Sequence, residues 1–280
     1  MKDRKTIVFL ILAFGWSWIS WSIALYFLSD GVNDESIGQF VKYFFIGVYG
    51  PVISAIVTTM YFGGFGDVAV LFKKIFIWKF PAFNYLAVFI LPIIFLGSGI
   101  ALYALFIGSP GNIGEQAALA IPLTLWRSLF AGPLGEELGW RGFLLPELQK
   151  ENSAIKSSII VGFIHCIWHL PLFWAPFGAL PSGQPFSPFL IFTYLVLVIC
   201  WSCTQTWLVN NSKGSVLIAI LFHLFINVGI VLIFFPEIYT DANRAKLVYY
   251  LSSVITIPFT ILLYVKTKLI LNRNDSLEKH

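Results

Sequence analysis

Apolar residues along this chain come in long runs, separated by short polar or Pro/Gly-rich breaks. A run of about 20 residues matches the thickness of a bilayer core at 1.5 Å rise per residue, so such runs are expected to form membrane-spanning helices. Eight are legible, at about 6–28, 40–62, 83–107, 117–131, 154–174, 189–209, 215–235 and 245–271. The second contains Gly47, Gly50 and Pro51, which predicts a kink or a close helix contact. After it, Gly63-Gly64-Phe65-Gly66 opens a stretch with Lys73, Lys74 and Lys79 interleaved with aromatic and aliphatic residues, expected to lie at the membrane interface. His169 is followed by Leu170-Pro171, so the fifth helix should be disturbed just beyond it.

Composition narrows this picture to one class. Of 280 residues, 58% are hydrophobic and only 11% charged, against roughly 25% charged in soluble domains. A soluble core cannot hide that much apolar surface, so the fold class is an all-α polytopic membrane protein. The net charge of +4 does not point to nucleic acid, because the basic residues fall in short loops. With a cytoplasmic N-terminus, the inner segments hold Lys2, Arg4, Lys5, Lys73, Lys74, Lys79, Lys150, Lys156, Lys213, Lys266, Lys268, Arg273 and Lys279. The outer segments hold only Lys42, Arg244 and Lys246. That bias predicts a bundle of about eight transmembrane helices with both termini cytoplasmic.

The basic N-terminus before the first run resembles the start of a signal peptide, but the run continues to about residue 28 without a small-residue cleavage site. It reads as a retained first span. Residues 1–280 show no internal repeat and no soluble part, so they form a single membrane domain. The cysteines, Cys166, Cys200 and Cys203, lie within apolar runs. The CxxC spacing of the last two has no second pair to complete a metal site, and helix packing is the expected role.

Three polar clusters remain inside the apolar runs, where ionisable groups are costly. Glu136, Glu137 and Arg141 form the first. On an α-helix Glu137 and Arg141 are i,i+4 neighbours and can pair, while Glu136 points about 100° away and stays free to react. A buried structural ion pair is the plain alternative, and it leaves the second glutamate unexplained. The second cluster is His165 and His169, again i,i+4, a spacing that either packs helices or places two imidazoles toward a metal. The third is His223 and Asn227, whose donors could meet a developing oxyanion or serve only in helix packing. Arg127 is assigned to pairing or snorkelling.

Glu136-Glu137-x-x-x-Arg141, Trp168-His169-Leu170-Pro171 and His223-x-x-x-Asn227, in this order on membrane helices, resemble the CAAX-processing and bacteriocin-immunity intramembrane proteases, the type II CAAX prenyl endopeptidase family. The resemblance covers a protease core at about 117–235. It implies an endopeptidase in which Glu136 and His169 activate water, His223 and Asn227 stabilise the oxyanion, and Glu137 and Arg141 support the motif. It leaves open a metal-free glutamate–histidine mechanism or a zinc ion held by Glu136, His169 and His223. The implied partners are a peptide or membrane-protein terminus and the lipid bilayer, with no nucleic acid. One departure is visible: the second motif usually begins with phenylalanine, and here that position is His165, expected to pack rather than react. Intramembrane Glu, His and Arg also suit a proton-coupled transporter, or an immunity or scaffold protein without activity. A transporter would be expected to show paired broken helices, which this sequence lacks.

Overall fold

The computed structural model of the chain describes residues 2–29, 31–109, 115–175, 187–234 and 242–269. The expected 175–188 loop and the polar tail from 272 fall largely or wholly outside these residues. The described residues are helical, with no strand among them. Chain order is α1 (Lys2–Tyr26), α2 (Asp34–Val48), α3 (Gly50–Lys73), α4 (Ala82–Phe106), α5 (Glu115–Phe130) and α6 (Pro133–Glu137). A π-helical stretch (Leu138–Leu144) leads into α7 (Leu145–Gln149). Then come α8 (Ala154–Trp168), a 3-10 turn (Leu170–Trp174), α9 (Pro188–Asn210), α10 (Val216–Phe234) and α11 (Ala242–Thr267).

Among the described residues, five stretches are long and apolar enough to cross a membrane: Arg4–Tyr26, Asp34–Phe76, Ala82–Phe106, Pro188–Asn210 and Lys246–Thr267. Ala154–Trp168 and Val216–Ile230 are shorter apolar helices. The outer faces of the five longer stretches carry Ile11, Ile19, Tyr61, Ile93, Phe189, Phe192 and Ile261, all more than half exposed. An apolar surface of that extent needs lipid to cover it. This is an integral multi-pass membrane protein.

Two expectations are corrected. The second apolar run does not end near residue 62, because helix continues through the glycine cluster to Lys73. Gly64 absorbs the discontinuity at φ 74°, ψ −171°, a conformation open to glycine, and the helix bends there instead of stopping. The fifth run is also shorter than expected: regular α-helix ends at Trp168, and the remainder tightens into the 3-10 turn that Pro171 favours.

The predicted disturbance in the second run is a full break at Tyr49, between α2 and α3. Pro51 has no N–H to give the Gly47 carbonyl, and Ser17 Oγ from α1 donates to that carbonyl instead, at 2.7 Å. Trp16 Nε1 donates to Ile46 O at 2.8 Å and Trp21 Nε1 to Phe44 O at 3.1 Å. One face of α1 thus satisfies the carbonyls along the end of α2, which lipid could not do.

The same break receives the motif helix. A Cβ on Gly135 would lie 2.7 Å from Val48 O, and one on Gly139 would lie 2.6 Å from Pro51 O. Those contacts with backbone atoms cannot relax by side-chain rotation. Gly139→Ala should therefore destabilise the protein by about 1–3 kcal/mol, the usual cost of overpacking. Thermal unfolding in detergent checks this, and an unchanged midpoint would mean that the two segments are not this close.

Behind the motif, α9 is buried on all sides from Cys200 to Val209, as a central helix must be. Gly162 of α8 lets that helix approach Ile199, and Ser202 Oγ donates to Ser158 O at 2.9 Å. Asn84 at the start of α4 donates to Ser212 Oγ at 2.7 Å and accepts from Asn211 Nδ2 at 2.8 Å, tying α4 to the α9–α10 turn. The cysteines are buried free thiols, consistent with packing.

Candidate active site

The motif carboxylates lie on α6, a short helix opened by Pro133 and continued by the π-helical stretch. The expectation of plain α-helix holds through Glu137 and fails after it. π-Helical turns commonly occur at functional sites, since they re-aim side chains relative to the α-helical register. Pro146 cannot supply an N–H to the Gly142 carbonyl, and Lys74 Nζ from the end of α3 donates to it at 2.6 Å.

Glu137 is fully buried and lies between two cationic or donor groups. Arg141 Nη1 is 3.2 Å from both of its carboxylate oxygens, and His223 Nδ1 donates to Oε1 at 2.6 Å. One carboxylate therefore bridges the motif helix and α10. Glu136, 2% exposed, faces the other way. Its Oε2 accepts from His165 Nε2 at 2.7 Å.

The role expected for His165 was packing, and the structure does more with it. The ring does pack, against Trp140 and Trp168 at centroid distances of 5.5 and 5.8 Å. It also touches Glu136 directly. The clue in the sequence was the i,i+4 spacing with His169, which already placed both imidazoles on one face. His169 caps α8 where the helix gives way to the 3-10 turn. Its Nδ1 donates to the His165 carbonyl at 3.0 Å, and a carbonyl can only accept, so Nε2 is left with its lone pair. Trp21 stacks on His169 at 6.2 Å, and Trp18 Nε1 donates to Trp168 O at 3.0 Å, so α1 steadies this corner.

Gly132, which precedes α6, shows where these groups converge. A Cβ placed there would lie 3.1 Å from Asn227 Nδ2, 3.2 Å from Glu136 Oε1 and 3.3 Å from His223 Nε2. Three polar atoms from two helices surround one small space at about hydrogen-bonding distance. Sequence reasoning passed over Gly132, because its missing side chain means something only once α10 is packed against α6.

Ligand atoms of Glu136, His165 and His169 all lie within 4.8 Å of one another. A carboxylate oxygen and two imidazole nitrogens are a donor set that suits zinc. His223 falls outside this grouping among the described residues, because its Nδ1 serves Glu137 and its Nε2 faces the Gly132 space. Arg127 is exposed in the last turn of α5.

Residues 118–229 match the family model "Type II CAAX prenyl endopeptidase Rce1-like". The chain is also similar to a protein of the archaeon Methanococcus maripaludis named CAAX prenyl protease 2. The two are 30% identical over 94 residues, 34% of this chain and 35% of that protein. The chain thus matches about a third of the length of this relative. The matched segment carries both glutamates, Arg141, all three motif-region histidines and Asn227, and over residues 118–229 the chain is similar to the Rce1-like type II CAAX prenyl endopeptidases.

Proposed function

We propose that this protein is an intramembrane endopeptidase that cuts a peptide or the terminus of a membrane protein by water-mediated hydrolysis. The observation that carries this reading is the convergence of Glu136 Oε1, His223 Nε2 and Asn227 Nδ2 on the space beside Gly132. A base for water and two groups for an oxyanion are the parts that amide hydrolysis needs.

Water bound at Glu136 Oε1 gives a proton to that carboxylate, and its oxygen attacks the scissile carbonyl carbon. His165 holds Oε2 and so fixes which oxygen does this work. The free Nε2 lone pair of His169 provides the second acceptor for the water. As the carbonyl π bond breaks, the oxygen becomes an oxyanion that accepts from Asn227 Nδ2. A doubly protonated His223 donates to it as well, from Nε2, while its Nδ1–H stays on Glu137. When the tetrahedral intermediate collapses, the C–N bond breaks and Glu136 returns its proton to the leaving amine. A carboxylic acid and a free amine result.

Glu137 and Arg141 position these groups, through the ion pair and through His223. The cytoplasmic orientation of both termini, from the loop charges, would open the site toward the inner leaflet. Substrate class follows the family by analogy: a prenylated or otherwise membrane-associated C-terminus. A proton-coupled transporter would need no oxyanion pair beside its carboxylate, so the Gly132 space favours the peptidase.

Gly132→Ala tests the reading. An unfolding curve on the same sample checks that the fold persists. The methyl group would occupy the space where the reacting atoms must sit, and cleavage should fall by about 100-fold, as displacements near 1 Å can cause. A cleavage assay on the purified protein in lipid nanodiscs reads this. Full activity in a folded Gly132→Ala protein would remove the proposed site.

A further inference from the structure

We propose that the cavity walled by α1, α3 and the segment from Gly142 to Glu147 binds the headgroup of a membrane phospholipid that carries both a phosphate and a primary ammonium. Phosphatidylethanolamine has that chemistry. The cavity shares no residue with the glutamate–histidine cluster, and the inference does not depend on the peptidase reading.

The cavity has a volume of about 270 Å³, at the small end for ligand pockets, so it suits a headgroup and not a whole lipid. Its wall carries two cations, Lys5 and Lys74, and two carboxylates, Asp67 and Glu147. Glu147 is already paired with Lys150. Lys74 gives one N–H to the Gly142 carbonyl at 2.6 Å, which leaves its other two for a ligand. Lys5 and Asp67 face the same cavity, yet among the described residues neither forms an ion pair. Lys5 Nζ rests over the Phe62 ring, 5.8 Å from its centroid. Thr59, on the same wall, has a buried Oγ1 with no hydrogen-bond partner.

Opposite charges that share a cavity without pairing suit a ligand that carries both. A phosphate accepts from Lys5 and from the remaining N–H groups of Lys74, and an ammonium donates to Asp67, all in charge-assisted hydrogen bonds. A purely anionic ligand would meet Asp67, and a purely cationic one would meet both lysines. A primary ammonium fits better than a quaternary one, because it has N–H groups to give the carboxylate. Position points to a lipid as the source. Ile7, Tyr61 and Phe65, each two residues from a lining residue, are more than half exposed, so acyl chains have an apolar face to lie on beside the cavity. Phe76 and Trp78, just beyond Lys74, are exposed as well, as expected of aromatic residues at headgroup level.

The experiment uses the full chain in detergent micelles with added phosphatidylethanolamine, phosphatidylcholine or phosphatidylglycerol, and native mass spectrometry counts the bound lipid. The expected result is one phosphatidylethanolamine per chain, held about tenfold or more tightly than either other lipid, the worth of one hydrogen bond to a charged group. Asp67→Ala, at an exposed and unpaired position, should erase the preference over phosphatidylcholine while lipid still binds. Lys5→Met should weaken all three lipids by about 10- to 100-fold. Lys74 is left in place, because it also holds the Gly142 carbonyl. Lys79→Met changes a lysine that does not line the cavity and should leave binding unaltered. Equal weakening by Lys79→Met and Lys5→Met would mean diffuse attraction to the surface and overturn the site. Tighter binding of phosphatidylglycerol by the parent, or a preference for phosphatidylethanolamine that survives Asp67→Ala, overturns the zwitterionic headgroup. Glycerophosphoethanolamine, which has no acyl chains, is the last arm. It should bind far more weakly than the intact lipid, and equal affinity would overturn the membrane as the source of the ligand.

Discussion

Replacing Glu136 with glutamine is expected to lower cleavage by about 10²- to 10⁴-fold, the range that a positioned general base contributes. Glutamine has nearly the same shape, and its amide oxygen can still accept from His165 Nε2, which the carboxylate now does at 2.7 Å. The amide nitrogen would then face the Gly132 space, where it can donate but cannot take a proton from water. The loss should therefore fall on the chemical step, with substrate affinity and thermal unfolding little changed. Single-turnover cleavage of a membrane-anchored peptide, with an unfolding curve on the same sample, separates these effects. Activity within about tenfold of the parent would show that Glu136 is not the base, since that lies below the range for such a group.

A second large effect is expected on stability. Glu137→Ala leaves Arg141 buried with no carboxylate and removes the acceptor of His223 Nδ1. Breaking a buried ion pair from one side costs about 3–5 kcal/mol, because the remaining charge stays desolvated. Glu137→Gln should cost less, about 1–3 kcal/mol, since an amide oxygen still accepts from both neighbours. Removing both charges in Glu137→Ala with Arg141→Met should recover much of the loss, as replacement of buried pairs by apolar residues often does. Denaturant titration in mixed micelles reads all three. If Glu137→Ala and Glu137→Gln unfold alike and the double variant recovers nothing, Glu137 acts by packing and not by charge.

Gly139→Ala and Gly132→Ala divide along the same line. The first presses on the backbone at Pro51, and its cost should appear in unfolding. The second presses only on polar side-chain atoms around a small space, and its cost should appear in cleavage. A chain that confused these two signatures would not have the arrangement described here.

The membrane class, most helix positions and the cluster of Glu136, Glu137, Arg141, His169, His223 and Asn227 were legible in the chain itself. The reason is physical: lipid makes each buried charge costly, so every polar residue inside an apolar run stands out. Helical spacing then supplied two local relations, the Glu137–Arg141 pair and the shared face of His165 and His169. What lay beyond one helix was not legible. Nothing local says that His165 reaches Glu136 across 29 positions, or that Glu137 takes both Arg141 and His223. The π-helical turn after Glu137 and the continuation of α3 through Gly64 were also hidden, because each depends on neighbours. Lys74 serves a carbonyl that Pro146 leaves free, and the α2–α3 break seats Gly135 and Gly139. Gly132 is the clearest case. In the sequence it is a helix-opening glycine, and only the packing of α10 against α6 turns its missing side chain into the space where Glu136, His223 and Asn227 meet.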